Sequence, residues 1–129
     1  MCGIIGYTNS ITNNQNVIEK MLKKITHRGP DDQGYYQDSS ISLGMRRLSI
    51  IDLDHGKQPL FNEDKSLILV FNGEIYNYQS LRNKLKSLGH VFTSNSDSEV
   101  IIHGYEEYGN DIVNHLRGMF AFAIYNLHT

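Results

Sequence analysis

The sequence predicts an α+β domain with its sheets and helices in layers. Short apolar segments of strand type occur near the start (Gly3 to Thr8), through the first half, and again at the end (Met119 to Tyr125). Between them, positions 77 to 116 carry apolar residues at helical spacing. Each element then has an apolar face to bury, and stacked layers bury such faces against one another. With 129 residues, 40% of them hydrophobic and 20% charged, the chain has enough material for one real core.

Gly3 to Thr8 reads as a buried strand of apolar and small residues. Val17, Ile18, Met21, Leu22 and Ile25 fall on one face of a helix, which the Asn-rich stretch before them is able to cap. His27-Arg28-Gly29-Pro30-Asp31-Asp32-Gln33-Gly34 ends that helix, because Pro30 disfavours helical backbone at Gly29 and the two glycines permit tight bends. Strands are expected at Gly34 to Gln37, Ile41 to Leu48 and Ser66 to Phe71, the last entered through a turn at Asn62-Glu63-Asp64-Lys65. Tyr78, Leu81, Leu85 and Leu88 share a helical face, with Asn77 as N-cap and Gly89 as stop. A second helix fits Asp97 to Tyr108, between Ser96 and Gly109, and a short third one holds Ile112, Val113 and Leu116. Met119 to Tyr125 reads as a buried strand with only four residues after it. Such a strand wants neighbours on both edges, so residues 1–129 read as an incomplete domain of a longer protein. A homo-oligomer that pairs those edges is one way to cover them.

A formal charge of -2 with scattered Lys and Arg leaves no basic stripe for a nucleic acid. The start of the chain lacks the basic leader of a signal peptide, and the longest apolar run, Leu67 to Phe71, is too short to span a bilayer. Neither nucleic acid nor membrane is an expected partner. The single cysteine excludes an internal disulfide and a Cys–Cys zinc pair, and a reducing, cytoplasmic setting follows as the default. His27, His55, His90, His103, His115 and His128 show neither a metal spacing nor a shared face; they read as structural or solvated, and no metal is expected.

Cys2, directly after Met1, is the sharpest chemical feature. Once Met1 is removed, Cys2 carries a nucleophilic thiol and a free α-amine, whose reference pKa of about 7.7–8.0 suits it to accept and return a proton near neutrality. A lone cysteine is more often a small buried residue, and both readings stand. Asn72-Gly73 between apolar runs is a hairpin signal; alternatively the Asn72 amide and the Gly73 backbone N–H sit at a strand end and face a developing oxyanion. Arg46 and Arg47 end a strand, as edge charges or as a grip on a substrate carboxylate. Asp97 either caps the helix it precedes or holds a substrate ammonium.

Taken together and in this order, six blocks resemble the glutaminase domain of glutamine-hydrolysing asparagine synthetases. They are Met1-Cys2-Gly3-Ile4, His27-Arg28-Gly29-Pro30-Asp31, Arg47-Leu48-Ser49-Ile50-Ile51-Asp52, Phe71-Asn72-Gly73-Glu74-Ile75-Tyr76-Asn77, Ser96-Asp97-Ser98-Glu99-Val100 and Gly118-Met119-Phe120-Ala121-Phe122. The resemblance runs from the first residue almost to the last. It implies an N-terminal-nucleophile hydrolase fold, an αββα sandwich of two antiparallel sheets, incomplete at its C-terminal end. It also implies roles. Cys2 attacks the glutamine side-chain amide, Asn72 and Gly73 stabilise the oxyanion, and Arg47 binds the α-carboxylate beside Ile50 and Ile51. Asp97 and Glu74 hold the α-ammonium. The glutaminase step then needs no cofactor; ATP and Mg belong to a downstream synthetase domain whose Ser-Gly-Gly phosphate loop is absent from this chain. Met45 stands where the family often has histidine. Two other readings stay open: the same glutaminase serving another acceptor, and an inactive module in which Met1 is retained and the Cys2 amine is locked in a peptide bond.

Overall fold

In the computed structural model the described residues are 2–8, 15–48 and 57–129. Strands β1 (Gly3–Thr8), β2 (Asp32–Gln37) and β3 (Ile41–Arg47) form an antiparallel sheet in the order β1-β3-β2. Strands β4 (Leu60–Phe61), β5 (Leu67–Ile75) and β6 (Gly118–Asn126) form a second, in the order β4-β5-β6. Helix α1 (Gln15–Lys24) follows β1 in sequence, and α2 (Tyr78–Ser87), α3 (Glu99–Tyr108) and the short α4 (Ile112–His115) lie between β5 and β6.

The continuous apolar run of β5 makes sense because both its faces are covered. Alternate residues point to opposite sides of a strand. Ile68 and Val70 therefore meet Leu43 and Met45 of the first sheet, whereas Leu69, Phe71 and Ile75 join Leu81, Leu85, Val100 and Ile101 of the helices. β6 divides in the same way, with Ala123 and Tyr125 between the sheets and Phe120, Phe122 and Ile124 toward the helices. On the far face of the first sheet, a Cβ added to Gly44 would lie 3.2 Å from Leu22 and 3.3 Å from Ile18, so α1 rests directly on the strand. The layers run helix, sheet, sheet, helices: the expected αββα sandwich.

Several expected elements shift. Asn72-Gly73 is no hairpin turn, because β5 runs on to Ile75 and pairs with β6 along its length, Gly73 opposite Phe120. Gly73 has φ +149°, and a Cβ there would lie 2.1 Å from the Met119 carbonyl oxygen, so only glycine admits this approach of β6. Asn77 does not cap α2 with its side chain; it donates to the His115 carbonyl (2.8 Å) and accepts from the Arg117 N–H (2.9 Å), joining the start of α2 to the entry of β6. Gly89, with φ +101°, does follow the end of that helix. α3 begins at Glu99, two residues later than expected for Asp97. Val113 is 48% exposed, so only Ile112 and Leu116 of the third expected set reach the core. β6 is half-buried rather than buried, since among the described residues it has a partner on one edge only. The Asn-rich cap before α1, together with Ile50 and Ile51, lies outside the described residues.

Candidate active site

A cavity of about 530 Å3 opens where the last residues of β3 and β5 meet the loop before α3. Cys2, Arg47, Asn72, Gly73, Glu74 and Asp97 all line it. These six positions come from four separate stretches of sequence, and the fold brings every described one of the expected site residues together.

Cys2 precedes β1, half-buried, where its side chain packs against the inter-sheet core. Its Sγ lies 3.3 Å from the Leu48 backbone nitrogen, which donates to it, and 3.8 Å from the Leu48 carbonyl oxygen. The thiol is thus fixed to the residue after Arg47, and thiol and cation share one strand end. Arg47 itself is only 7% exposed.

The His27-to-Asp31 segment explains why that strand end is firm. A Cβ on Gly29 would lie 2.5 Å from the Arg46 carbonyl carbon and 2.5 Å from the Arg47 nitrogen, so the loop lies flat on β3. Arg46 closes the contact by donating Nε to the Gly29 carbonyl (2.8 Å) and Nη1 to Gln33 Oε1 (2.7 Å), while the Asp31 N–H donates to the Arg47 carbonyl (3.1 Å). Of the two arginines, Arg46 therefore ties the loop down and Arg47 faces the cavity. Met45, where the resemblance anticipates histidine, is a core residue at 1% exposure.

Asp97 is not a side-chain cap. Its Oδ2 accepts the Ile75 backbone N–H at 2.7 Å, which fixes the loop to the end of β5. Burial raises its pKa above the ordinary aspartate value, and the nearby Glu74 carboxylate adds to the effect against the N–H groups that favour the anion. A cation brought close would be stabilised by this pair. The loop is held from behind by Glu99, 3% exposed, whose carboxylate accepts the Thr93 N–H (2.7 Å), the Ser94 N–H (2.9 Å) and the Ser94 hydroxyl (2.6 Å). Burial alone would raise the pKa of Glu99, but donors from His103, Ser94 and Thr93 outweigh it and bring it down to about 2.

Sequence reasoning gave no role to Glu99, Leu48 or Gln58. Gln58 lines the cavity and accepts the Phe71 N–H on its Oε1 at 2.7 Å, holding the residue before Asn72. A charged residue on the otherwise apolar face of α3 was the available signal for Glu99; Gln58 carried none. The expectation that no histidines share a face fails for two of them, since the His90 and His103 rings lie 5.1 Å apart.

Two antiparallel sheets between helical layers, with a thiol at the first strand and a charged cavity at the strand ends, define an N-terminal-nucleophile amidotransferase fold. The chain belongs to the glutamine amidotransferase domain family, whose profile matches residues 1–129. It is 44% identical over 98% of its length to asparagine synthetase [glutamine-hydrolyzing] 1 of Bacillus subtilis, and 45% identical over 98% to a probable asparagine synthetase [glutamine-hydrolyzing] of Dictyostelium discoideum. It spans only 21% and 23% of those two proteins. Among solved structures it is similar to the glutamine phosphoribosylpyrophosphate amidotransferase of B. subtilis, with TM-score 0.55 and 24% identity over 67% of this chain and 21% of that one. A structure of an allosteric regulatory enzyme of purine biosynthesis gives TM-score 0.57 and 26% identity over 70% and 22%.

Proposed function

We propose that this chain is a glutaminase portion of a longer amidotransferase, hydrolysing L-glutamine to glutamate and ammonia. The observation that carries the reading is the single cavity that gathers Cys2, Arg47, Asn72, Gly73, Glu74 and Asp97. After removal of Met1, the Cys2 α-amine takes the thiol proton and Sγ attacks the side-chain amide carbon. Asn72 and Gly73 donate to the oxyanion of the tetrahedral intermediate. The proton passes to the leaving nitrogen, ammonia departs, and a thioester remains on Cys2. Water attacks that thioester and glutamate leaves with the thiol restored. Arg47 pairs with the substrate α-carboxylate, with Ile50 and Ile51 beside it, while Asp97 and Glu74 pair with the α-ammonium. Opposite charges at the two ends select an amino acid over a simple amide and hold it in line for attack.

The step is proposed to run without metal or nucleotide. The named relatives support asparagine as the product of the full-length parent, whose synthetase domain would take the ammonia and use ATP and Mg to activate aspartate. A cytoplasmic setting fits this chemistry, and among the described residues no helix is long and apolar enough to cross a membrane. A homo-oligomer is compatible with the one-sided pairing of β6.

Intact mass before and after exposure to a glutamine-mimicking diazoketone tests the reading. Loss of Met1 and one covalent adduct, abolished by Cys2→Ala, is the expected result. Lost Met1 with no adduct would overturn it for this chain.

A further inference from the structure

Apart from the residues that line the cavity, four side chains from three segments converge. Glu63 comes from the turn between β4 and β5, His90 follows α2, and His103 and Glu106 sit one turn apart on α3. One ligand atom from each lies within 4.8 Å of all the others. His90 Nδ1 is 3.5 Å from Glu63 Oε1 and 3.2 Å from Glu106 Oε2; His103 Nδ1 is 3.4 Å and 3.1 Å from the same two oxygens.

The other nitrogen of each ring is already engaged. His90 Nε2 lies 2.6 Å from Glu107 Oε1, and His103 Nε2 lies 3.4 Å from Glu99 Oε1. An ionised carboxylate only accepts, so both Nε2 atoms carry the hydrogen. The two Nδ1 atoms and the two carboxylate oxygens are thus left facing one another across a single point. Each Nδ1 is shared between two oxygens at 3.1–3.5 Å. Those four His–Glu separations are close to the tetrahedral edge, roughly 3.3–3.4 Å for metal–ligand bonds of about 2.0–2.1 Å, and the remaining two pairs lie within 4.8 Å.

We propose that Glu63, His90, His103 and Glu106 form a structural site for a divalent metal ion of the zinc type. Two imidazoles and two carboxylates are a ligand set that zinc accepts, and four protein ligands close its coordination, which marks a structural rather than a catalytic ion. The outer shell is in place: Glu107 and Glu99 hold the histidines, the Asn62 amide donates to the second Glu106 oxygen (2.8 Å), and the Val91 N–H donates to Glu63 (3.1 Å). Exposed carboxylates at Glu63 and Glu106 give the ion a way in from solvent, while His103 is buried. Bound there, the ion ties the β4–β5 turn and the segment after α2 to α3, a cross-link of three elements through one point.

The test uses the whole chain, stripped with a chelator and alkylated at Cys2 so that the thiol does not compete. Calorimetric titration with Zn2+ should show one ion per chain and a Tm that rises with zinc, and Co2+ should give the intense visible bands of four-coordinate cobalt. Glu107→Ala should weaken zinc binding by about 10–100-fold, as loss of an outer-shell partner does. His90→Gln and Glu106→Gln, both at partly exposed positions, should each weaken it more. Absence of saturable binding, a six-coordinate cobalt spectrum, or binding undiminished in Glu106→Gln would each overturn the site.

Discussion

The carboxylate of Asp97 accepts the backbone N–H of Ile75 at 2.7 Å, so the loop ahead of α3 is fastened to β5 two positions beyond Gly73. A group held this way, part-buried and beside Glu74, keeps its charge at the expense of fold stability. Its folded pKa is raised above the ordinary value, chiefly by burial. The sign follows: stability from this group is fully present below the unfolded pKa and is lost as pH rises through the folded one. Asp97→Asn retains an oxygen acceptor for Ile75 and removes the charge. It should therefore raise Tm at neutral pH while raising the KM for glutamine, the usual exchange between stability and function. A variant with lower Tm and unchanged KM would show Asp97 to be purely structural.

The same group sets a pH dependence. Because its pKa is raised, Asp97 loses its negative charge earlier on acidification than an ordinary aspartate does. KM for glutamine should rise as pH falls through that range, and the rise should be absent in Asp97→Asn. Initial rates against glutamine concentration across mildly acidic pH would settle it.

Asn72 lines the cavity with its neighbour Gly73 on the same strand. Loss of an oxyanion donor costs on the order of 2.7–4 kcal/mol of barrier, roughly 10²–10³ in kcat. Asn72→Ala should show that loss in kcat with KM little changed. Intact turnover would remove the oxyanion assignment.

Arg47 should behave in the opposite way. Arg47→Lys keeps the charge and loses the planar fork that grips a carboxylate at two points. With charged hydrogen bonds worth about 1.5–3 kcal/mol, KM should rise roughly 10- to 100-fold with kcat largely preserved. Steady-state kinetics at saturating glutamine separate the two parameters.

Gly73 tests the backbone itself. An added Cβ meets the Met119 carbonyl oxygen at 2.1 Å, at a φ of +149°. Gly73→Ala should cost more than the about 1–3 kcal/mol of a strained backbone alone, because β6 must also move. Thermal melting would show it, and a melt like that of the unaltered chain would refute it.

Much of this site was legible in the sequence because its parts are local signals. An amino-terminal thiol, Asn-Gly after an apolar run, and Ser-Asp before a helical period each admit a plain structural reading, and only their occurrence together and in order points to the site. What could not be read was anything made by the meeting of distant segments. His90 and His103 fall at no metal spacing, and only the packing of α3 against the segment after α2 brings their rings to 5.1 Å. Asn77 reads as a cap because it precedes a helix, yet its amide finds better partners at His115 and Arg117. The Asn-Gly hairpin reading failed because a partner strand over 40 residues later, β6, took up the β5 edge. Local preference yields there to long-range pairing.

The flat contact of Gly29 on Arg46 and Arg47, and that of Gly73 on Met119, are both made with main-chain atoms. Their consequence is a pattern of mutational tolerance. Met119, exposed to solvent, can drift in identity, since every amino acid supplies the same peptide atoms to the contact, whereas Arg46 is tied by its own side chain to the Gly29 carbonyl. The glycines cannot drift, since any side chain at all intrudes. In a library of variants selected only for folding, Gly29 and Gly73 should thus survive as invariant points, Gly73 beside a variable Met119, before any selection for catalysis is applied.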